Sequence, residues 1–276
     1  MTAPSVSYLF VPGSRADRFE KALSAGADRV IIDLEDAVAV ADKVPARASL
    51  CEALTRGLSG SVLVRVNAAD TGWFTDDLAA LAQVVSLRPE ALAGVVIPKV
   101  ETANTIEQVR TELSLGADAE IIGLIETAVG VRAAEQLAAA GVTRLAVGAI
   151  DLSVDLGTEI ESPVLDATYA HVVITSRVAG IAAPLGSPPV EIQEHSSIEA
   201  GARRLRSMGI GGQLCIHPAQ LDAVHAGFAP TAAQIEWARR IVASAGAAVK
   251  VEGQMVDKPV RDRAERILAA TERSRS

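Results

Sequence analysis

The chain has 276 residues, 49% of them hydrophobic and 22% charged, and carries a formal net charge of −8. That balance fits a globular protein with ample core and argues against nucleic acid or an anionic membrane as a partner. No run approaches the ~20 apolar residues of a membrane span, "MTAPSVSYLFVPGSR" lacks a basic start and a signal-length apolar run, and the two isolated cysteines, Cys51 and Cys215, suit a reducing cytoplasm.

Eight strand candidates follow in chain order. They are "YLFVPG" from Tyr8, "RVIIDLED" from Arg29, "SVLVRVN" from Ser61 and "GVVIPKV" from Gly94, then "EIIGLIET" from Glu120, "RLAVGAIDL" from Arg144, "GIAAPLGS" from Gly180 and "GQLCIHP" from Gly212. Most are continuous apolar runs, as expected for parallel strands covered on both faces. Amphipathic helices lie between them. Ser14 is expected to cap a helix that buries Phe19, Ala22 and Leu23 and stops at Gly26. Thr127 should cap the next well-marked helix, and Ser162 before Pro163 another. Ser196 with Glu199 reads as a capping box. Eight such units predict a (β/α)8 TIM barrel over residues 1–229, with a doubly wound open sheet as the alternative.

The pattern changes beyond His217. A capping box from Thr231 to Gln234 opens a helix that buries Ile235, Ala238 and Ile241, and a connector leads to a last helix carrying Val260, Ala264, Ile267 and Leu268. Residues 230–276 are therefore expected to form a C-terminal helical arm, lid or oligomerisation element, with a frayed "TERSRS" end.

Barrel active sites gather where strands end. Those ends supply Pro12, Gly13 and Arg15, then Asp33, Glu35 and Asp36, then Arg65 and Asn67, Pro98 and Lys99, Glu126, Asp151 and His217. Glu126 and Asp151 close consecutive strand candidates, and two hard oxygen donors with open positions beside them suit Mg²⁺ or Mn²⁺. Solvated rim acids paired with Arg65 or Lys99 are the plainer reading. Arg65 either pairs with the acids or clamps a substrate carboxylate or thioester oxygen. The "DLEDAV" acids either support metal-bound water or pair with Lys43 and Arg47. Cys215 and His217 carry no activating pattern, and "GIGG" at 209–212 lacks the context of a dinucleotide loop. There is no GxxxxGK[ST], HExxH, CxxC or GxSxG.

Together, "LFVPGS", "DLEDAV", "RVN", "IPKVE", "LIET", "GAIDLSVDLG", "CIHPAQ" and "EGQMVDKPV" occur in the order and spacing of a known family. The chain resembles the citrate lyase β-subunit and malyl-CoA lyase family of acyl-thioester C–C lyases over nearly its whole length. The resemblance implies a Mg²⁺-dependent lyase that cleaves or forms a citryl-, malyl- or citramalyl-CoA type thioester. It implies Glu126 and Asp151 as metal ligands and Arg65 as the substrate-binding arginine. It also implies Asp257 as an acid/base delivered in trans to a neighbouring subunit of a homo-oligomer, a trimer or a multiple of it. Asp257 could otherwise simply start the last helix, after a bend at Gly253. Three positions depart from the family's pattern: Val6-Ser7 replaces Arg-Ser, Ile150 replaces an acid, and "AAPLGSPP" lacks an aspartate. The departures bear on the substrate, not on the metal or acid/base positions. Malate-synthase-like or thioesterase activity, a class II pyruvate aldolase, and the β subunit of a citrate lyase complex with an acyl-carrier protein are the alternatives.

Overall fold

A computed structural model describes residues 5–244, 249–251 and 254–273. Eight parallel strands close into a barrel in sequence order: β1 Ser7–Pro12, β2 Arg29–Asp33, β3 Val62–Arg65, β4 Leu92–Ile97, β5 Glu120–Ile125, β6 Arg144–Val147, β7 Ala182–Gly186 and β8 Gly212–Cys215. The (β/α)8 expectation holds, and the open sheet is excluded because β1 pairs with β8. Tyr8, Ile31, Leu63, Val96, Ile122, Leu185 and Leu214 fill the interior. Alternate residues such as Leu9, Val30, Ile32 and Val64 face the outer helices instead.

Those helices are α1 Phe19–Leu23, α2 Lys43–Arg56, α3 Gly72–Leu87, α4 Ala103–Glu112, α5 Ala128–Ala139, α6 Ala149–Leu156, α7 Pro163–Ala179, α8 His195–Ser207 and α9 Leu221–Phe228. Thr127 and Ser162 cap α5 and α7 by accepting from the Gly130 and Leu165 amides. Ser14 caps nothing. It lies inside a turn closed by the Arg15 amide on the Pro12 carbonyl at 2.9 Å, and helical structure starts at Ala16. Ser196 likewise falls inside the first turn of α8, which starts at His195.

Beyond the barrel, α10 Ala232–Ala243 and α11 Lys258–Arg273 pack together, and a short antiparallel hairpin pairs Val249–Val251 with Gln254–Val256. Thr231 and Gln234 form the expected capping box. Ala238, Ile241, Val256, Ala264 and Ile267 make a small apolar cluster distinct from the barrel core. Helix α11 runs through Thr271 to Arg273. Gly253 and residues 274–276 lie outside the described residues, and so do the bend and the final frayed end expected there. Among the described residues no helix is long and apolar enough to cross a membrane.

Polar groups plug the N-terminal end of the barrel. Arg144 Nη1 donates to Tyr8 Oη at 2.9 Å, Tyr8 donates to Glu120 Oε2 at 2.9 Å, and Arg29 Nε donates to Glu120 Oε1 at 2.6 Å. The opposite end is left for a site. Cys215 is buried on β8, and burial pushes its thiol up to about 12. Its thiolate is therefore negligible at pH 8. Iodoacetamide at pH 8 should leave Cys215 unmodified in the folded protein, whereas denaturant should expose it; mass spectrometry of tryptic peptides checks this.

Candidate active site

The "DLEDAV" acids have assigned tasks. Strand register sets Asp33 opposite both Pro12 and Arg65. Arg65 Nε and Nη2 donate to the two Asp33 oxygens at 2.7 and 2.6 Å, and those oxygens also accept from the Glu35 and Ala37 amides. The loop after β2 thus folds around Asp33, which uses its carboxylate to hold the Arg65 fork flat. Arg65 Nη1 also lies 2.9 Å from Glu35 Oε2, and its guanidinium stacks 4.7 Å from the Phe10 ring centroid. Burial opposes its charge, but Asp33 and Glu35 hold it firmly ionised. Gly13 permits the tight approach of this strand end: its amide donates to the Asp33 carbonyl at 2.7 Å, and a Cβ there would sit 2.8 Å from Leu34 Cδ2.

Lys43 and Arg47 do not pair with these acids. Lys43 Nζ donates to the Leu34 and Glu35 carbonyls at 2.8 and 2.7 Å, while Arg47 Nε donates to Asp77 at 2.7 Å. Asn67 also goes to Asp77, through its amide and side chain at 2.9 and 2.7 Å. The base that serves the acids is Lys99. Its ammonium lies 2.6 Å from Glu35, 3.5 Å from Asp36 and 3.6 Å from Asp151. Its backbone is in the left-handed region at φ 46°, unusual outside glycine, and this turn aims the Lys99 amide at Glu126 Oε2, 2.9 Å away.

Glu126 follows directly on β5 and is buried. Asp151 does not end a strand: β6 stops at Val147, and Asp151 sits in the first turn of α6 after Gly148. Gly148 opens the "GAIDLSVDLG" motif, but nothing in the sequence assigned it a task. A Cβ there would come within 2.6 Å of Glu126 Cγ, so only glycine leaves room for that carboxylate. Burial and then the Glu35 charge push the Glu126 carboxyl up to about 8.

Glu126 and Asp151 line one cavity of about 340 Å³ at the C-terminal mouth of the barrel. One wall is charged and comprises Asp33, Asp36, Arg65, Glu126 and Asp151. The other wall is uncharged, built from Phe10 and Pro12 of β1, Ser187 and Pro188 after β7, and Leu214 and Ile216 at β8. Ile150 and Leu124 add apolar surface. Ser187 also anchors α6, its hydroxyl accepting from the Ala149 amide at 3.1 Å.

Three expected site residues lie elsewhere or face another task. Arg15 is outside the lining, held by Asp17 at 2.7 Å. His217 Nδ1 accepts from the Ala219 amide at 3.1 Å and caps the turn that follows. Asp257 is exposed and caps α11, accepting from the Val260 amide at 3.2 Å.

The donor set suits a hard divalent cation. Among the described residues no cluster of three or more His, Cys, Asp or Glu side chains is arranged to hold a metal. Two carboxylates facing open space are what Mg²⁺ uses when substrate oxygens and water complete its shell. The buried Glu126, pushed toward its neutral form, regains its charge when a cation stands beside it.

A closed barrel with a carboxylate pair and a buried arginine fork at its concave mouth has the layout of a barrel enzyme. The profile of the HpcH/HpaI aldolase/citrate lyase family matches residues 6–218, and the chain belongs to that family of lyases. A citrate lyase subunit beta-like protein of Deinococcus radiodurans is 36% identical, covering 98% of this chain and 99% of its own. A (3S)-malyl-CoA thioesterase of Cereibacter sphaeroides is 34% identical over 87% of this chain and 83% of its own. The crystal structure of CitE from Mycobacterium tuberculosis in complex with magnesium, acetoacetate and coenzyme A matches with a TM-score of 0.84 at 32% identity, over 99% of this chain and 100% of the other.

Proposed function

We propose that the protein is a Mg²⁺-dependent carbon–carbon lyase. Its substrate would be a β-hydroxyacyl-CoA thioester of the citryl-, malyl- or citramalyl-CoA type, converted to acetyl-CoA or a related acyl-CoA and a keto acid. The observation that carries the reading is the buried Glu126, short of positive charge, sharing one cavity with Asp151 and the Arg65 fork. Mg²⁺ held by Glu126 and Asp151 would polarise the substrate's oxygens. Arg65, held rigid by Asp33 and Glu35, would bind the oxygen on which negative charge develops as the C–C bond breaks. Lys99 would fix Glu35 and Asp151, while Pro12, Gly13 and Phe10 shape the wall beside Arg65. Arg15 could meet only a part of the substrate that extends beyond the cavity. The net reaction moves one proton from the hydroxyl to the α-carbon, and Asp257 would deliver the proton to that carbon. In the condensation direction it would remove it.

Asp257 lies outside the cavity lining of its own chain. We therefore assign it to a neighbouring subunit's barrel, which makes the active species a homo-oligomer, a trimer or a multiple of it. In this reading residues 1–229 are the barrel and 230–276 a lid, in a cytoplasmic enzyme. Mixing inactive Glu126→Ala protein with inactive Asp257→Ala protein, under conditions that exchange subunits, should restore activity by pairing an intact barrel with an intact Asp257. Mixed oligomers seen by native mass spectrometry that stay inactive would exclude a shared site.

The defining experiment incubates purified protein and Mg²⁺ with malyl-, citramalyl-, citryl- and hydroxymethylglutaryl-CoA and follows products by mass spectrometry. Acetyl-CoA with a keto acid or related carbonyl compound is the expected result. Free CoA with an intact hydroxy acid would instead establish thioester hydrolysis, the reading that the Cereibacter sphaeroides relative favours. No turnover of any of the four removes the proposal.

A further inference from the structure

A second concave site lies between the end of α8 and the C-terminal helices. It encloses about 510 Å³ and is lined by Arg203, Arg206 and Ser207 from the α8 side and by Thr231, Gln234, Arg263, Arg266 and Ile267 from α10 and α11. None of these residues lines the barrel-mouth cavity. Because α8 runs back from β7, its last turn lies at the end of the barrel away from that cavity.

The charge balance is unusual for this chain. Acidic residues outnumber basic ones, 34 to 26, yet four arginines and no carboxylate line the cleft. Among the described residues, Arg203 alone of the four pairs with a carboxylate, that of Glu199. Arg206 Nη1 donates only to neutral acceptors, the Ala229 carbonyl at 3.0 Å and Gln234 Oε1 at 3.3 Å. Arg263 stacks over the Trp237 ring at 5.2 Å, and Arg266 Nε donates to the Asp262 carbonyl at 3.2 Å. Among the described residues, three guanidinium groups thus line one cleft with no carboxylate paired to them. Burial, and then the charge of Arg203, press the Arg206 guanidinium toward losing its proton, which is the condition an anion relieves.

We propose that this cleft binds a small anion carrying two or more phosphate groups. Three unbalanced guanidinium groups match the charge of a di- or triphosphate, and planar forks suit phosphate oxygens in a way single carboxylates do not require. The Thr231 hydroxyl, whose oxygen accepts from the Gln234 amide, keeps its own hydrogen to donate. The site is assembled from the barrel and the C-terminal helices together, so an occupied cleft ties the two.

Sodium tripolyphosphate is a direct probe, used in metal-free, low-salt buffer because it chelates Mg²⁺ and because salt screens exposed charges. Isothermal titration should show saturable binding. Trp237 fluorescence should change in parallel, since Arg263 lies over that ring, and the change should vanish in Trp237→Phe. Arg263→Ala/Arg266→Ala should weaken binding roughly tenfold or more. Arg65→Lys, altered only at the barrel mouth, should bind as the wild type does. Both substituted arginines of the double variant are exposed, so its melting temperature should stay near normal; if it does not, Arg266→Gln alone serves, with a smaller loss. Absence of binding, undiminished binding in the Arg263/Arg266 variants, or loss confined to Arg65→Lys would each overturn the proposal.

Discussion

Replacing Glu126 by glutamine or Asp151 by asparagine should abolish measurable Mg²⁺ binding by titration calorimetry and lower kcat/KM by about 10³-fold or more, or roughly 4 kcal/mol of lost transition-state stabilisation. Neither change should unfold the barrel. Glutamine keeps the volume of Glu126 and an oxygen for the Lys99 amide, and Asp151 is partly open to solvent. The glutamine variant also isolates a pH effect. The Glu126 carboxyl titrates near 8 when folded, against 4.5 for an unburied glutamate. Between those values the folded chain holds a proton that the unfolded chain has lost. The contribution of this group to stability therefore falls as pH rises from about 4.5 to about 8 and levels off above. With a chelator present, the melting temperature of the wild type relative to Glu126→Gln should decline across that window. Saturating Mg²⁺ should flatten the decline, and metal affinity should weaken as pH drops below about 8. A glutamine variant that still binds Mg²⁺ with unchanged affinity would remove Glu126 from the metal site.

The second large effect concerns Arg65. Arg65→Ala strips the partner from Asp33 and from one oxygen of Glu35, both buried. Leaving buried carboxylates unpaired costs about 3–5 kcal/mol, to be read as a lower urea midpoint. Arg65→Lys keeps the charge but not the fork that grips both Asp33 oxygens, and kcat/KM should drop about 10²-fold or more. Asp33→Asn tests the positioning role separately. It leaves the guanidinium in place but loosens its orientation, so kcat should suffer more than KM. Near-normal turnover in Arg65→Lys would reduce Arg65 to a structural partner of the acids.

The barrel was legible because its strands are continuous apolar runs that end in polar residues, and because Thr127, Ser162 and Thr231 carry caps that depend only on local sequence. Ser14 and Ser196 failed for the same local reason: a turn or an earlier helix start claimed the residue first. Asp151 was misplaced because "RLAVGAIDL" stays apolar through the end of β6. The helical signal lay in the spacing of Ala149, Leu152 and Ser153, which are buried together on α6, and in Gly157, which ends it in the left-handed conformation. The Arg65–Asp33 fork could not be read from spacing. It joins residues 32 positions apart, and it exists because neighbouring strands align in register. Gly148 stood in a motif, but its reason was equally hidden, since it lies in how near Glu126 comes.

The two walls of the mouth cavity have different evolutionary freedom. Every charged group there comes from the last residues of β2 and β3 or from the segments after β2, β5 and β6, and ion pairs or a backbone amide, several of them through Glu35 and Lys99, tie these segments together. The facing wall, from β7, β8 and β1, carries no charge, and apart from Phe10, which stacks on Arg65, and Ser187, which anchors α6, its residues can be exchanged without touching that network. Lineages that share this barrel could therefore drift from one substrate to another by altering Pro188, Leu214 or Ile216 alone, and a laboratory library confined to those positions would search substrate range while the charged wall stays constant.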